Sequence, residues 1–136
     1  MLDVEERIFL GDFKDLSSLE HEFQENNLKD LFTNGAELLV AWYGQASYDG
    51  ATFVLYRKDG KLYEVNGGHC SCSGLEGQWS PEETSWEALK MRSFNNQGED
   101  NYNNYPDEVI FRARVRQLIS ENLPPEEDES PLIRLL

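Results

Sequence analysis

One glycine-rich segment, residues 66–79, carries the side chains best suited to bind a metal or to act as a nucleophile. It holds both cysteines of the chain, Cys70 and Cys72, and one of its two histidines, His69. An imidazole and two thiolates are ligands that zinc prefers, and a thiol with a lowered pKa is also a nucleophile. If these side chains converge, the segment forms either a metal site or a reactive thiol.

The spacing of these three residues argues against both kinds of site. Structural zinc sites usually combine two pairs of ligands, and the chain has no second Cys or His pair. A fourth ligand would have to be Glu76, Asp49 or water. His69 is the general base available to a thiol, but a side chain is seldom oriented onto its neighbour in sequence. No cofactor is expected, and zinc is the candidate to be tested.

A structural interpretation competes with the chemical one. Small residues and glycines turn the chain beneath Trp79, and the thiols are then buried as small apolar groups. A disulfide between Cys70 and Cys72 would close a small, strained ring. In this interpretation the loop also forms a protein-binding surface, which consists of His69, Cys70, Cys72, Leu75, Glu76, Gln78 and Trp79.

Length and charge limit the classes of function. A chain of 136 residues with 39% hydrophobic residues is long enough for one domain with its own core. The 26 acidic and 12 basic residues give a net charge of −14, which repels nucleic acid phosphates. We therefore expect no direct nucleic-acid binding. The acids form a solvated surface, bind a basic protein, or imitate phosphate charge in a DNA-binding channel.

The same sequence predicts a protein of the cytoplasm. No run of about 18 apolar residues is present to span a bilayer, so no membrane association is expected. The first residues lack the basic and apolar regions of a signal peptide.

Strands and helices of an α+β domain are expected to position the loop. The apolar run 38–43 predicts a central strand buried on both faces, and the run 52–56 predicts a second strand. Asp59-Gly60 indicates a type I′ hairpin to a third strand, which would pair Tyr56 with Tyr63 and Val54 with Val65. The predicted sheet is a three-stranded antiparallel meander.

Three helical segments are predicted to pack on this sheet, at 18–33, 81–92 and 107–121. Ser17 and Glu20 have the spacing of a capping box, and the segment after them is one interrupted helix or two short ones. Ser80-Pro81-Glu82-Glu83 combines an N-cap hydroxyl with proline at the first helical position. The third helix has a predicted buried face of Phe111, Val115, Leu118 and Ile119.

Two segments are expected to lie outside the packed elements. Residues 94–105 form a polar, asparagine-rich loop. Residues 1–123 make up the single domain, and residues 124–136 form an acidic, proline-containing tail in an extended conformation. The apolar end of this tail is expected to dock on its own domain or on another chain.

Three strings in the centre of the chain carry a resemblance. They are Leu62-Tyr63-Glu64-Val65-Asn66-Gly67, His69-Cys70-Ser71-Cys72 and Gly74-Leu75-Glu76-Gly77-Gln78-Trp79-Ser80-Pro81-Glu82-Glu83-Thr84. Within residues 36–92, about two-fifths of the chain, they resemble small uncharacterised proteins encoded by bacteria and their phages. The resemblance implies an origin and no catalytic residues.

The leading functional hypothesis is a small acidic, non-enzymatic module that binds a protein. In its more specific form it is a phage-type modulator or inhibitor of a host protein, which uses the 67–79 loop and the acidic surface. The alternative is a zinc-binding or thiol-dependent enzyme centred on His69, Cys70 and Cys72.

Overall fold

Five strands form one sheet in the structure, a computed structural model that describes residues 8–71, 73–92, 94 and 105–124. They lie side by side in chain order: β1 Phe9–Gly11, β2 Glu37–Ala46, β3 Asp49–Lys58, β4 Lys61–His69 and β5 Glu82–Thr84. β1 runs parallel to β2, and the other neighbouring pairs are antiparallel. The helices in the described residues are α1 Leu16–Phe23, α2 Leu28–Thr33, α3 Trp86–Met91 and α4 Glu108–Asn122.

The sheet separates two layers of apolar side chains. Trp42 and Tyr43 are neighbours in β2, so their side chains point to opposite faces. On one face Trp42 stacks on Phe111 of α4 with 4.5 Å between ring centroids. On the other face Tyr43 packs with Phe13 and with the buried side of α1 and α2. β2 is therefore buried on both faces, as predicted.

The prediction of a three-stranded antiparallel meander is wrong. The sheet contains two further strands, β1 and β5, and one of its pairs is parallel. Both missed strands have three residues, which is too short for an alternating pattern to be recognised. Their positions depend on pairing with longer strands, since β1 pairs with Ala41 to Tyr43 and β5 with Leu62 to Glu64.

The predicted start of the 81–92 helix is also wrong. Glu82 and Glu83 lie in β5, opposite Glu64 and Tyr63 of β4. α3 begins later, because the hydroxyl of Ser85 accepts the Ala88 N–H at 3.0 Å and forms the N-cap. Pairing with β4 prevails over a local capping signal here.

The N-terminal helical segment divides into α1 and α2, which is one of the two predicted arrangements. Its cap differs from the predicted one, because Asp15 rather than Ser17 is the N-cap residue. The Asp15 carboxylate accepts the Ser18 N–H at 2.9 Å, and the Ser18 hydroxyl accepts the Asp15 N–H at 3.1 Å. α1 ends at Gln24, whose left-handed backbone has φ 55°.

The central hairpin is confirmed. Asp59 and Gly60 both have positive φ, 52° and 76°, as a type I′ turn requires. The register pairs Tyr56 with Tyr63 and Val54 with Val65. The predicted 107–121 helix is α4, displaced by one residue at each end, and its predicted apolar face is buried.

Other predictions fall largely outside the described residues. Of the 94–105 loop only Phe94 and Tyr105 are described, and of the 124–136 tail only Pro124 is described. The division of the chain into a domain and a tail stays a prediction. Among the described helices, none combines the length and the apolar character that a bilayer crossing requires.

Candidate functional site

The loop that follows β4 is attached to the sheet by one side chain. The Gln78 amide accepts the Gly68 N–H at 2.9 Å and donates to the Gly68 carbonyl oxygen at 3.0 Å. The same nitrogen also donates to the Gly74 carbonyl oxygen at 2.9 Å. Because β5 pairs only with Leu62 to Glu64, Gln78 takes the place of a neighbouring strand further along the β4 edge.

Two apolar side chains fix the position of this loop on the core. Leu75 is fully buried in the layer formed with α1 and α2. Trp79 is half-buried, with its ring edge-on to Phe23 at 5.1 Å and stacked on Tyr56 at 6.0 Å. The expectation that Leu75 contacts a partner is therefore not supported by its position, since its side chain is inaccessible in this fold.

A tyrosine and a histidine meet at the start of the loop. The Tyr43 hydroxyl lies 2.8 Å from Nε2 of His69, and Nδ1 of His69 lies 2.8 Å from the carbonyl oxygen of Cys70. A carbonyl oxygen only accepts hydrogen bonds, so Nδ1 must carry the proton. In the neutral imidazole, Nε2 is then the acceptor of a hydrogen bond that the Tyr43 hydroxyl donates.

A glycine in the middle strand makes room for this pair. Gly50 in β3 is the register partner of His69 in β4 and of Gln45 in β2. A Cβ atom at Gly50 would lie 2.6 Å from Nε2 of His69. The histidine ring therefore lies across the backbone of Gly50, where any other residue would displace it.

Three carboxylates act on the Tyr43 hydroxyl through their negative charge, and we call Asp12, Glu22 and Glu76 the acidic rim. Burial, together with the negative charges of Glu22, Asp12 and Glu76, raises the pKa of Tyr43 to about 12. The three acids belong to different segments: the turn after β1, α1 and the loop after β4. They are exposed or half-buried, so the rim is open to solvent.

Asp12 of the acidic rim is held in place by its neighbours in the sheet. Its N–H donates to the Tyr43 carbonyl oxygen at 2.8 Å. Its carboxylate accepts a hydrogen bond from Nε2 of Gln45 at 2.6 Å. This carboxylate therefore has a defined position beside the Tyr43–His69 pair before any partner binds.

The geometry of His69 bears on the metal and thiol hypotheses. Because Nδ1 holds its proton for the Cys70 carbonyl oxygen, a metal ion or a thiol would have to displace Tyr43 from Nε2. In the part of the chain that the structure describes, no three His, Cys, Asp or Glu side chains are grouped to hold a metal ion. Cys70 is exposed, contrary to the expectation of buried thiols. Cys72 lies outside the described residues, so both hypotheses stay predictions.

The other predicted contact residues that the structure describes keep surface accessible to solvent. Cys70 and Glu76 are exposed, and His69 and Gln78 are partly exposed.

Sequence reasoning missed Tyr43, Asp12 and Glu22 because each is distant along the chain from His69. Gly50 was a signal in the sequence for Tyr43. Because glycine has no side chain, Gly50 in β3 leaves a gap between β2 and β4, in which a long side chain from each strand can meet.

Comparison of the chain with family models, with curated proteins and with solved structures finds no match.

Proposed function

We propose that this chain is a small acidic module that binds a protein through a basic segment of its partner. The contact surface consists of the acidic rim, the Tyr43–His69 pair and the exposed part of the 67–79 loop. We place this activity in the cytoplasm, as a modulator or inhibitor of a host protein of the kind that phages encode. The net charge of −14 and the resemblance to small bacterial and phage proteins support this proposal.

The convergence of the acidic rim carries the proposal. Three segments separated along the chain bring Asp12, Glu22 and Glu76 close enough to the Tyr43 hydroxyl for each charge to raise its pKa. Like charges that act on the same hydroxyl repel one another and attract a cation such as a lysine ammonium or an arginine guanidinium. A basic side chain of a partner relieves that repulsion when it binds.

The loop is held in place before binding, which favours affinity. Gln78 attaches it to Gly68, and Trp79 and Leu75 attach it to the core. A contact surface that is already ordered loses less conformational entropy on association. The hydrogen bonds of Asp12 to Tyr43 and Gln45 likewise reduce the entropy that Asp12 loses on binding.

A hexalysine peptide is the probe for the acidic rim. We expect it to bind the wild-type chain at low salt, and to bind a D12N/E22Q/E76Q variant about tenfold more weakly. This factor corresponds to about 0.5 kcal/mol for each exposed ion pair. Isothermal titration calorimetry at two salt concentrations measures both affinities, which should fall as salt increases.

A control variant separates the rim from the net charge. D59N/E83Q/E87Q removes the same number of charges from exposed positions outside the rim. We expect it to weaken hexalysine binding by less than twofold. Equal weakening by the two variants would show that only the total charge matters and would refute the rim as a site.

The same variants identify a protein partner. Wild-type chain and both variants serve as baits in a bacterial lysate, and the retained proteins are quantified by mass spectrometry. We expect at least one protein that the wild type and the control variant retain and the rim variant loses. If every retained protein binds all three baits equally, the rim is not the contact surface.

A further inference from the structure

A groove of about 220 Å³ lies between α3 and α4, on the face of the sheet opposite to α1 and α2. Its lining combines basic and apolar side chains, and it ends at the last described residue of the chain. The lining residues are Lys90, Arg116, Ile119, Ser120, Leu123 and Pro124. The groove is separate from the acidic rim.

Arg116 differs from Arg92 and Arg112 in the group that its guanidinium contacts. Arg92 and Arg112 lie against carboxylates, those of Glu64 and Glu108. Arg116 donates to the carbonyl oxygen of Phe94 at 2.7 Å. This bond orients the guanidinium without neutralising its charge, because the acceptor is neutral.

The chain continues directly from the groove into its most acidic stretch. Residues 126–129 are Glu-Glu-Asp-Glu, and they begin two positions after Pro124, which lines the groove. Two residues extend the chain by about 7 Å. The first of the four carboxylates is therefore within reach of the groove without closing a long loop, and closing a short loop costs little entropy.

We propose that residues 126–129 of the same chain occupy this groove, with their carboxylates against Lys90 and Arg116. The apolar residues Ile119 and Leu123 contact the backbone and side-chain stems of the same segment. The tether gives the tail a millimolar effective concentration at the groove, so weak ion pairs suffice to hold it. A docked tail also keeps this basic groove from the acidic rim of a second copy.

Two negative groups near the groove oppose this contact. The carbonyl groups at the C-terminus of α4 carry partial negative charge and repel acids. Glu121 belongs to the same last turn of α4. Its carboxylate accepts a hydrogen bond from Nε2 of Gln117 at 3.1 Å, one turn earlier in the helix. Neither Glu121 nor Gln117 lines the groove. Glu87 of α3 is three residues from Lys90 and competes for its ammonium.

Zero-length cross-linking with a carbodiimide tests the contact in the full chain. The reagent joins a lysine Nζ to a carboxylate that already touches it, and tandem mass spectrometry locates the bond. The chain has five lysines, so Lys14, Lys29, Lys58 and Lys61 act as internal controls. We expect links from residues 126–129 to Lys90 at least fivefold more often than to any other lysine.

Two variants and an isotope mixture complete the test. R116Q should reduce the Lys90 links severalfold, whereas R57Q on β3 should leave them unchanged. Circular dichroism confirms that both variants fold. In a mixture of ¹⁴N- and ¹⁵N-labelled chains, we expect each cross-linked peptide pair to carry a single isotope, because both peptides come from the same chain.

Three results would overturn the proposal. Tail links spread over all five lysines would show that the tail has no preferred site. Links from Lys90 to Glu99 or Asp100 instead of the tail would assign the groove to another segment. Links between ¹⁴N and ¹⁵N chains would show that the tail of a second copy fills it.

Discussion

Raising the pH should reverse the sign of the effect that Tyr43→Phe has on stability. Near pH 8 the substitution removes the hydrogen bond between the Tyr43 hydroxyl and His69, which costs about 1 kcal/mol. Burial and the acidic rim raise the Tyr43 pKa to about 12, against about 10 in the unfolded chain. The stability that protonated Tyr43 contributes is fully present below pH 10 and is lost as the pH rises through 12.

The size of this loss follows from the two pKa values. Linkage gives a decrease in the free energy of unfolding of about 1.4 kcal/mol at pH 11 and about 2.3 kcal/mol at pH 12. Phenylalanine does not titrate, so the variant does not lose this part of its stability as the pH rises. We therefore expect it to be about 1 kcal/mol less stable than the wild type at pH 8 and about 1.3 kcal/mol more stable at pH 12.

Urea unfolding of both proteins at pH 8, 10, 11 and 12 measures this difference. The pKa values of Tyr56 and Tyr105 are also raised, chiefly by burial, but both residues are common to the two proteins and cancel in the difference. A difference that stays near 1 kcal/mol from pH 8 to 12 would refute the reasoning, because Tyr43 would then titrate alike in the folded and unfolded chains. As a check on the rim, E76Q should lower the Tyr43 pKa in an absorbance titration at 295 nm, and D59N should not.

Substitutions at three further positions, Gly11, Arg92 and Gln78, each with a control, test contacts that hold the fold together. Gly11 has φ +68°, and a Cβ atom there would collide with the Tyr43 carbonyl oxygen, so Gly11→Ala should cost about 3 kcal/mol in urea unfolding. Gly60 has φ +76° in open space, so Gly60→Ala should cost only about 1 kcal/mol. Arg92→Met leaves the buried Glu64 carboxylate without its two guanidinium bonds and should cost about 2 kcal/mol. Adding Glu64→Leu should recover part of that loss, and a double variant no more stable than Arg92→Met would contradict the buried-charge argument. Gln78→Leu should speed hydrogen exchange at the Gly68 amide about tenfold, because it removes the acceptor of that N–H. Gln78→Glu keeps the acceptor and should speed the exchange less. Equal exchange rates in the wild type and both variants would show that Gln78 does not protect this edge of the sheet.

The sequence alone determined the parts of this fold that depend on local patterns. The Asp59-Gly60 turn requires two positive φ angles that few dipeptides adopt, and the strands on either side are long enough to define their register. α4 follows from an apolar face repeated over fifteen residues. The loop after β4 was identified as the candidate site from its glycines, its histidine and its cysteines.

The tertiary structure decided what depends on contacts between distant segments. β1 and β5 are strands because longer strands offer them hydrogen bonds, and at β5 that pairing prevailed over the proline and acids of a helix start. Tyr43 and His69 are 26 residues apart, and they meet only because Gly50 leaves space between them. The acidic rim joins three segments whose charges repel one another in solution. No local preference favours this arrangement, so only the packing of the whole chain places the three charges where they act on the same hydroxyl.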